Sequence, residues 1–158
     1  MEQQIEIRRV RGDDPAAREL VAALEAELGE RYGPMTPDRT STVSGDEMVP
    51  PGGAYVVVVE GGRTVAGGGV RRLSDGVAEV KRMYVVPELR GRGHGRRLLD
   101  ALEQAAADLG YTRARLDTAE PQAVALAMYR SAGYREIPDY NGNRYATFWG
   151  EKTLSPAR

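Results

Sequence analysis

Cysteine is absent from this chain of 158 residues, and histidine and tryptophan occur once each. Without cysteine there are no disulfides, no thiolate zinc sites and no cysteine nucleophile. One histidine, His94, cannot supply the imidazoles of a His-based metal centre, so no metal is expected. It also leaves a Ser-His-Asp triad a single candidate base. A charge excess is missing too. The 22 basic and 23 acidic residues leave a net of −1, whereas a nucleic-acid-binding surface is basic, so no nucleic-acid partner is expected. No apolar run, Ala54–Val59 included, approaches the length of a membrane span, so no membrane partner is expected either. The stretch Met1–Asp14 has no apolar h-region, which points to a soluble, cytoplasmic protein. The length suits one domain, residues 1–158, that needs no staple.

What is present is a strand-rich pattern with three helical stretches. Ile5–Val10 alternates imperfectly. Asp14-Pro15 reads as an N-cap with proline at the first helical position, and Ala17, Leu20, Val21, Leu24 and Leu28 recur at helical spacing after it. Residues 31–53 hold Pro34, Pro37, Pro50 and Pro51 and break every period, so a long loop with room for one helical turn is expected. Ala54–Glu60, Thr64–Leu73 and Val77–Val86 form a meander turned by Gly61-Gly62 and Ser74-Asp75-Gly76. Gly67-Gly68-Gly69 inside its middle strand signals a bulge or the close approach of another backbone. Gly95–Leu109 reads as a helix ending at Gly110, Ala114–Asp117 as a short strand, and Pro121–Ala132 as a helix with Val124, Ala125 and Met128 inward. Tyr134–Ile137 and Tyr145–Leu154 close the chain as strands. The fold class is α+β: a mostly antiparallel sheet of six or seven strands, one parallel βαβ crossover, and helices on both faces.

One segment stands out chemically. From Lys81 to Arg97 the chain carries six basic residues (Lys81, Arg82, Arg90, Arg92, Arg96, Arg97) against Glu88 alone, a local net of +5. Within it a strand runs through Gly91, Gly93 and Gly95 into a helix. Glycines let backbone approach a ligand closely, and the unpaired amides and dipole of a helix start favour anions. A ligand with several phosphates follows. The pattern GxxxxGK[ST] is absent, so P-loop phosphoryl transfer is not indicated. A dinucleotide site is a weaker match: Gly91 and Gly93 fit GxGxxG, Arg96 replaces the third glycine, and Asp117 ends the next strand as a ribose-binding acid would.

The turn matches Arg-x-x-Gly-x-Gly through Arg90, Gly93 and Gly95, and here the chain resembles the GNAT superfamily of acetyl-CoA-dependent N-acyltransferases. A second matching piece is Ala127-Met128-Tyr129-Arg130-Ser131-Ala132-Gly133-Tyr134, and a third is Glu79 upstream of the strand end Met83-Tyr84-Val85. The resemblance covers residues 54–137 well. It implies a cofactor-binding set of Arg90, Gly91, Arg92, Gly93, His94, Gly95 and Arg96 around the pyrophosphate of acetyl-CoA. It implies a pantetheine arm lying along Met83, Tyr84 and Val85 between two splayed strands. Arg96 or Arg97 would reach the ribose phosphate.

Acyl transfer to a primary amine needs a base, because an alkylammonium ordinarily holds its proton to a pH of about 10. Glu79 is the candidate base, directly or through water, and Tyr129 the candidate acid for the departing thiolate. By strand alternation Glu79 shares a face with Lys81 and Met83 unless a bulge intervenes. With no cysteine, direct attack in a ternary complex is expected. The acceptor is a small-molecule or peptide amine, met by loop 31–53, the 138–143 turn and Glu79. The final strand and that loop are the candidate contact surfaces of a homodimer. The rival readings are a non-catalytic CoA-binding sensor and a dinucleotide-dependent oxidoreductase.

Overall fold

The computed structural model describes residues 4–33, 45–119 and 123–155. Seven strands form one sheet: β1 (Ile5–Val10), β2 (Ala54–Glu60), β3 (Arg63–Ser74), β4 (Val77–Val85), β5 (Arg113–Ala119), β6 (Arg135–Glu136) and β7 (Ala146–Thr153). Their spatial order is β1-β2-β3-β4-β5-β7-β6, and every pairing is antiparallel except β4 with β5. The helices are α1 (Pro15–Tyr32), α2 (His94–Asp108) and α3 (Ala123–Ser131). The expected mixed sheet is therefore observed.

β2 and the middle of β3 are buried on both faces, which is why β2 reads as an unbroken apolar run rather than an alternation. Alternate residues serve opposite layers. Ala54, Val56 and Val58 pack with Leu98, Leu99 and Leu102 of α2. Tyr55, Val57 and Val59 pack with Ala17 and Leu20 of α1. Each of the three leucines is fully buried, and such burial is worth about 1.5–3 kcal/mol apiece.

The helix ends follow their caps. Asp14 accepts a hydrogen bond from the Ala16 amide at 2.9 Å with Pro15 next to it, as expected. α2 begins at His94, one residue before the expected Gly95, because Gly93 takes φ +85° and caps the helix from the left-handed region. A short 3₁₀ turn at Gly45–Glu47 answers the expected helical turn in loop 31–53; residues 34–44 lie outside the described residues. So does Pro121, the expected start of α3.

One placement in α3 differs from expectation. Val124 is 87% exposed, not inward. The buried stripe is Ala125, Met128, Tyr129 and Ala132, whose helical phase sets Val124 aside.

The glycine triplet of β3 does what its composition suggests. A Cβ on Gly67 would lie 2.5 Å from Leu20 of α1, and one on Gly69 would lie 2.1 Å from the Met48 sulfur. Opposite Gly68 the register shifts: Gly67 pairs with Tyr84 and Gly69 with Lys81, so Arg82 and Met83 together face one residue. This is a β-bulge, and Arg82 carries its strain at φ +63°.

Candidate active site

The bulge re-sorts the side chains of β4. Glu79 and Lys81 face the α1 side of the sheet, where Arg82 also reaches Glu25 of α1 at 3.0 Å. Met83 then turns to the α2 layer and Tyr84 to the α1 layer. Met83 consequently does not share a face with Glu79, as unbroken alternation would require.

β4 and β5 also part company. Their parallel pairing covers Val77, Ala78 and Glu79 against Arg113, Ala114 and Arg115, and stops there. Beyond it β4 continues to Val85 and β5 to Ala119 with no pairing between them. The sheet is thus open between two of its central strands, on the line that joins the α2 face to the α1 face.

On the α2 side the opening is lined by Met83 and by Tyr129 of α3, whose hydroxyl donates to the Met83 sulfur at 3.7 Å. Burial pushes the Tyr129 phenol up to about 12, and the Asp117 carboxylate adds to the rise. At neutral pH this group is a retained proton in an apolar setting.

On the α1 side the described charges at the opening are paired with one another. Glu79 is fully buried. One of its oxygens takes Nε and Nη2 of Arg71 at 2.9 Å, and the other takes the Tyr140 hydroxyl at 2.7 Å and Asn141 Nδ2 at 3.3 Å. Lys81 Nζ stands 3.6 Å from Glu79 and 3.3 Å from both oxygens of Asp117, spanning the opening. Asn141 and Asn143 also donate to Asp117, and Trp149 Nε1 props Asn141 at 2.9 Å. The Tyr140 phenol is pushed well up, first by burial and then by the Glu79 charge it donates to. Phe148, beside Trp149 in β7, lies in the core.

Glu47 contacts Arg71 at 3.4 Å, and its neighbours Asp46 and Met48 line a cleft of about 320 Å³ with Arg18, Glu25 and Arg82. This cleft lies on the same face as Glu79 and carries both signs of charge.

The glycine turn sits at the start of α2. Its first recorded backbone bond runs from the Arg97 amide to the Gly93 carbonyl, so the amides of His94, Gly95 and Arg96 precede the helical ladder. Gly91 (φ +83°) has nothing within 4 Å of where a Cβ would stand, and at Gly93 only the Arg97 side chain comes near. The cradle is open and exposed, which suits a phosphate-bearing tail. The side chains of the motif divide. Arg92, Arg96 and Arg97 are exposed at the turn, with Arg96 on Asp100 at 3.0 Å and Arg97 on the Arg92 carbonyl at 2.9 Å. Arg90 turns back onto the Val85 carbonyl and Glu27, over the Tyr84 ring. His94 is buried, with its Nε2 3.6 Å from Glu60, so its contribution to the turn is its amide.

Comparison with known proteins decides what this arrangement is. A model of the acetyltransferase (GNAT) family matches residues 18–134. The chain belongs to that family. It is 34% identical to the uncharacterized N-acetyltransferase YjgM of Escherichia coli over 81% of this chain and 79% of that one. The fold is that of a GNAT-family acetyltransferase from Staphylococcus aureus, with a TM-score of 0.75 at 17% identity over 96% and 100% of the two chains. It is also that of a PaiA N-acetyltransferase from Thermoplasma acidophilum in complex with coenzyme A, with a TM-score of 0.69 at 18% identity over 96% and 99%. The protein is an acyltransferase of the GNAT type. The dinucleotide reading falls with this finding, and Asp117 is engaged by Lys81 and two asparagines. Among the described residues no helix is long and apolar enough to cross a membrane, and no group of three His, Cys, Asp or Glu side chains gathers.

Sequence reasoning missed Arg71, Tyr140 and Asp117 as partners in one network. A signal was available: the charged residues Arg71, Glu79, Lys81 and Asp117 all fall in segments that the sequence pattern reads as strands.

Proposed function

We propose that this protein moves the acetyl group of acetyl-CoA to a primary amine of a small molecule or amino acid, by direct attack in a ternary complex in the cytoplasm. The observation that carries the proposal is the opening between β4 and β5, which has a proton-retaining phenol at one mouth and the buried Glu79 carboxylate at the other.

Acetyl-CoA brings an activated thioester carbonyl. The amides from Gly91 to Arg96 hold its diphosphate, with Arg92 and Arg96 screening the charge. The free edge of β4 at Met83, Tyr84 and Val85 holds the pantetheine arm as an added strand would. The β4 amides beside the bulge point donors at the thioester oxygen. Glu79, with Tyr140 and Asn141 fixing one oxygen and Arg71 the other, takes the proton of the incoming ammonium through water. Tyr129 gives its proton to the departing thiolate. The acceptor enters from the α1 face, where the two-signed cleft accommodates a polar amine.

Calorimetry with acetyl-CoA tests the cofactor, and thiol release across a panel of amines tests the reaction. Glu79→Gln and Tyr129→Phe are each expected to lower kcat by about 10²-fold or more. An acetylation rate indifferent to both would overturn the assignment of acid and base.

A further inference from the structure

Lysine occurs only twice among the 22 basic residues, at positions 81 and 152; every other cation is arginine. Where this chain pairs carboxylates on its strands it uses guanidinium: Arg71 on Glu79, and Arg115 on Glu151 at 2.7 Å. A strap between Glu79 and Asp117 would be better made by arginine as well, because its planar fork binds carboxylates bidentately. The chain instead puts a primary amine there. Lys81 Nζ lies 3.3 Å from both oxygens of Asp117 and 3.6 Å from Glu79, on the α1 side of the β4–β5 opening, and its side chain is only 15% exposed. It occupies the position where an acceptor ammonium would be received.

We propose that Lys81 is itself an acceptor: a self-acetylation site, modified by the acetyl-CoA bound in the same molecule. This rests on the acetyl-transfer reading above. In the step, Lys81 Nζ passes a proton to the Asp117 carboxylate, and a nitrogen–carbon bond forms at the acetyl carbonyl. The carbon–sulfur bond breaks, and the CoA thiolate leaves with the Tyr129 proton, which the Asp117 proton replaces through solvent. The products are N-acetyl-lysine, CoA thiol and one proton released on balance. Proximity supplies the rate: an amine held beside the thioester reacts as part of one molecule. Acetylation removes the cation that neutralises Glu79 and Asp117 and breaks the strap across the opening.

The molecule carries its own control. Lys152 is paired with Glu103 at 2.8 Å and is more exposed, at 25%. Indiscriminate chemical acetylation therefore favours Lys152 and the α-amino group. The experiment incubates the intact protein with acetyl-CoA, after calorimetry has established that it binds, and maps acetylated peptides over time. Lys81 is expected to gain an acetyl group at least about tenfold faster than Lys152. Lys81→Arg is expected to bind CoA and unfold as the parent does, while losing that modification. A second readout needs no turnover: CoA thiol should shield Lys81, but not Lys152, from an N-hydroxysuccinimide acetate reagent. Bound acetyl-CoA with Lys81 unmodified, or modified no faster than Lys152, overturns the proposal and leaves the transferase reading intact. Failure of acetyl-CoA to bind overturns both.

Discussion

The two mouths of the β4–β5 opening are made of different materials. The α2 mouth is apolar: Met83 and Tyr129 sit over the core that Leu98, Leu99 and Leu102 fill, and the Tyr129 phenol there is bonded to a thioether. The α1 mouth is a lattice of charges and amides in which Glu79, Arg71, Lys81, Asp117, Tyr140 and Asn141 satisfy one another. An apolar wall makes ionisation costly and so keeps an acid protonated; a polar network supplies buried carboxylate oxygens with hydrogen-bond donors. Acid and base chemistry can therefore run a few residues apart at one pH.

The sharpest way to break this contrast is to remove the centre of the polar mouth. Glu79→Ala leaves Arg71 and Lys81 without their buried counter-charge and is expected to cost about 3–5 kcal/mol of stability, read by urea denaturation. The matching change at the apolar mouth, Tyr129→Phe, should lower kcat by about 10²-fold, roughly 2.7 kcal/mol of barrier, while the melting temperature stays nearly unchanged, because the hydroxyl's one recorded bond is to sulfur. Loss of stability instead of rate would assign that phenol to the fold.

Alkaline pH provides a milder probe. Below pH 10 the Tyr129 phenol is protonated whether the chain is folded or not. Above about 10 the unfolded chain releases the proton, while the folded chain holds it until about 12. Stability should therefore fall as pH rises through this window, by about 1.4 kcal/mol per unit from this group. Tyr129→Phe should flatten part of the fall, and a stability curve level from pH 9 to 11 would contradict the burial of the phenol. The smallest effect on the fold is expected at the cofactor turn. Gly93→Val forces a branched residue to φ +85° at a cost of about 1–2 kcal/mol. Its effect on CoA affinity should exceed the roughly tenfold that 1.4 kcal/mol represents, and equal losses in both would make the turn merely structural.

Much of this was legible in the residues. The valine run of β2, the Gly61-Gly62 turn and the Asp14-Pro15 start are local signals, so the meander and the capped helix could be placed directly. The glycine turn was equally plain, since left-handed backbone and clustered arginine are written in composition. The polar mouth was not, because its members come from β3, β4, β5 and the 138–143 turn, and only tertiary pairing brings Arg71 and Tyr140 to Glu79. Nor was the placement of β7 between β5 and β6, since a two-residue β6 carries little pattern. Val124 went astray for a local reason: with so many small apolar residues in α3, the face is fixed by where Tyr129 docks.

The bulge at Arg82 gives the chain a parity rule. Alternation along β4 is counted from Glu79, and one surplus residue decides that everything after Lys81 is counted the other way. Draw Arg82 into regular alternation and thioether and phenol ring trade sides. The charged chamber would be greased and the oily one wetted, without altering the kind of any other amino acid in the strand. The side on which each later residue of β4 lies is thus set by a backbone detail at Arg82 as much as by its own chemistry.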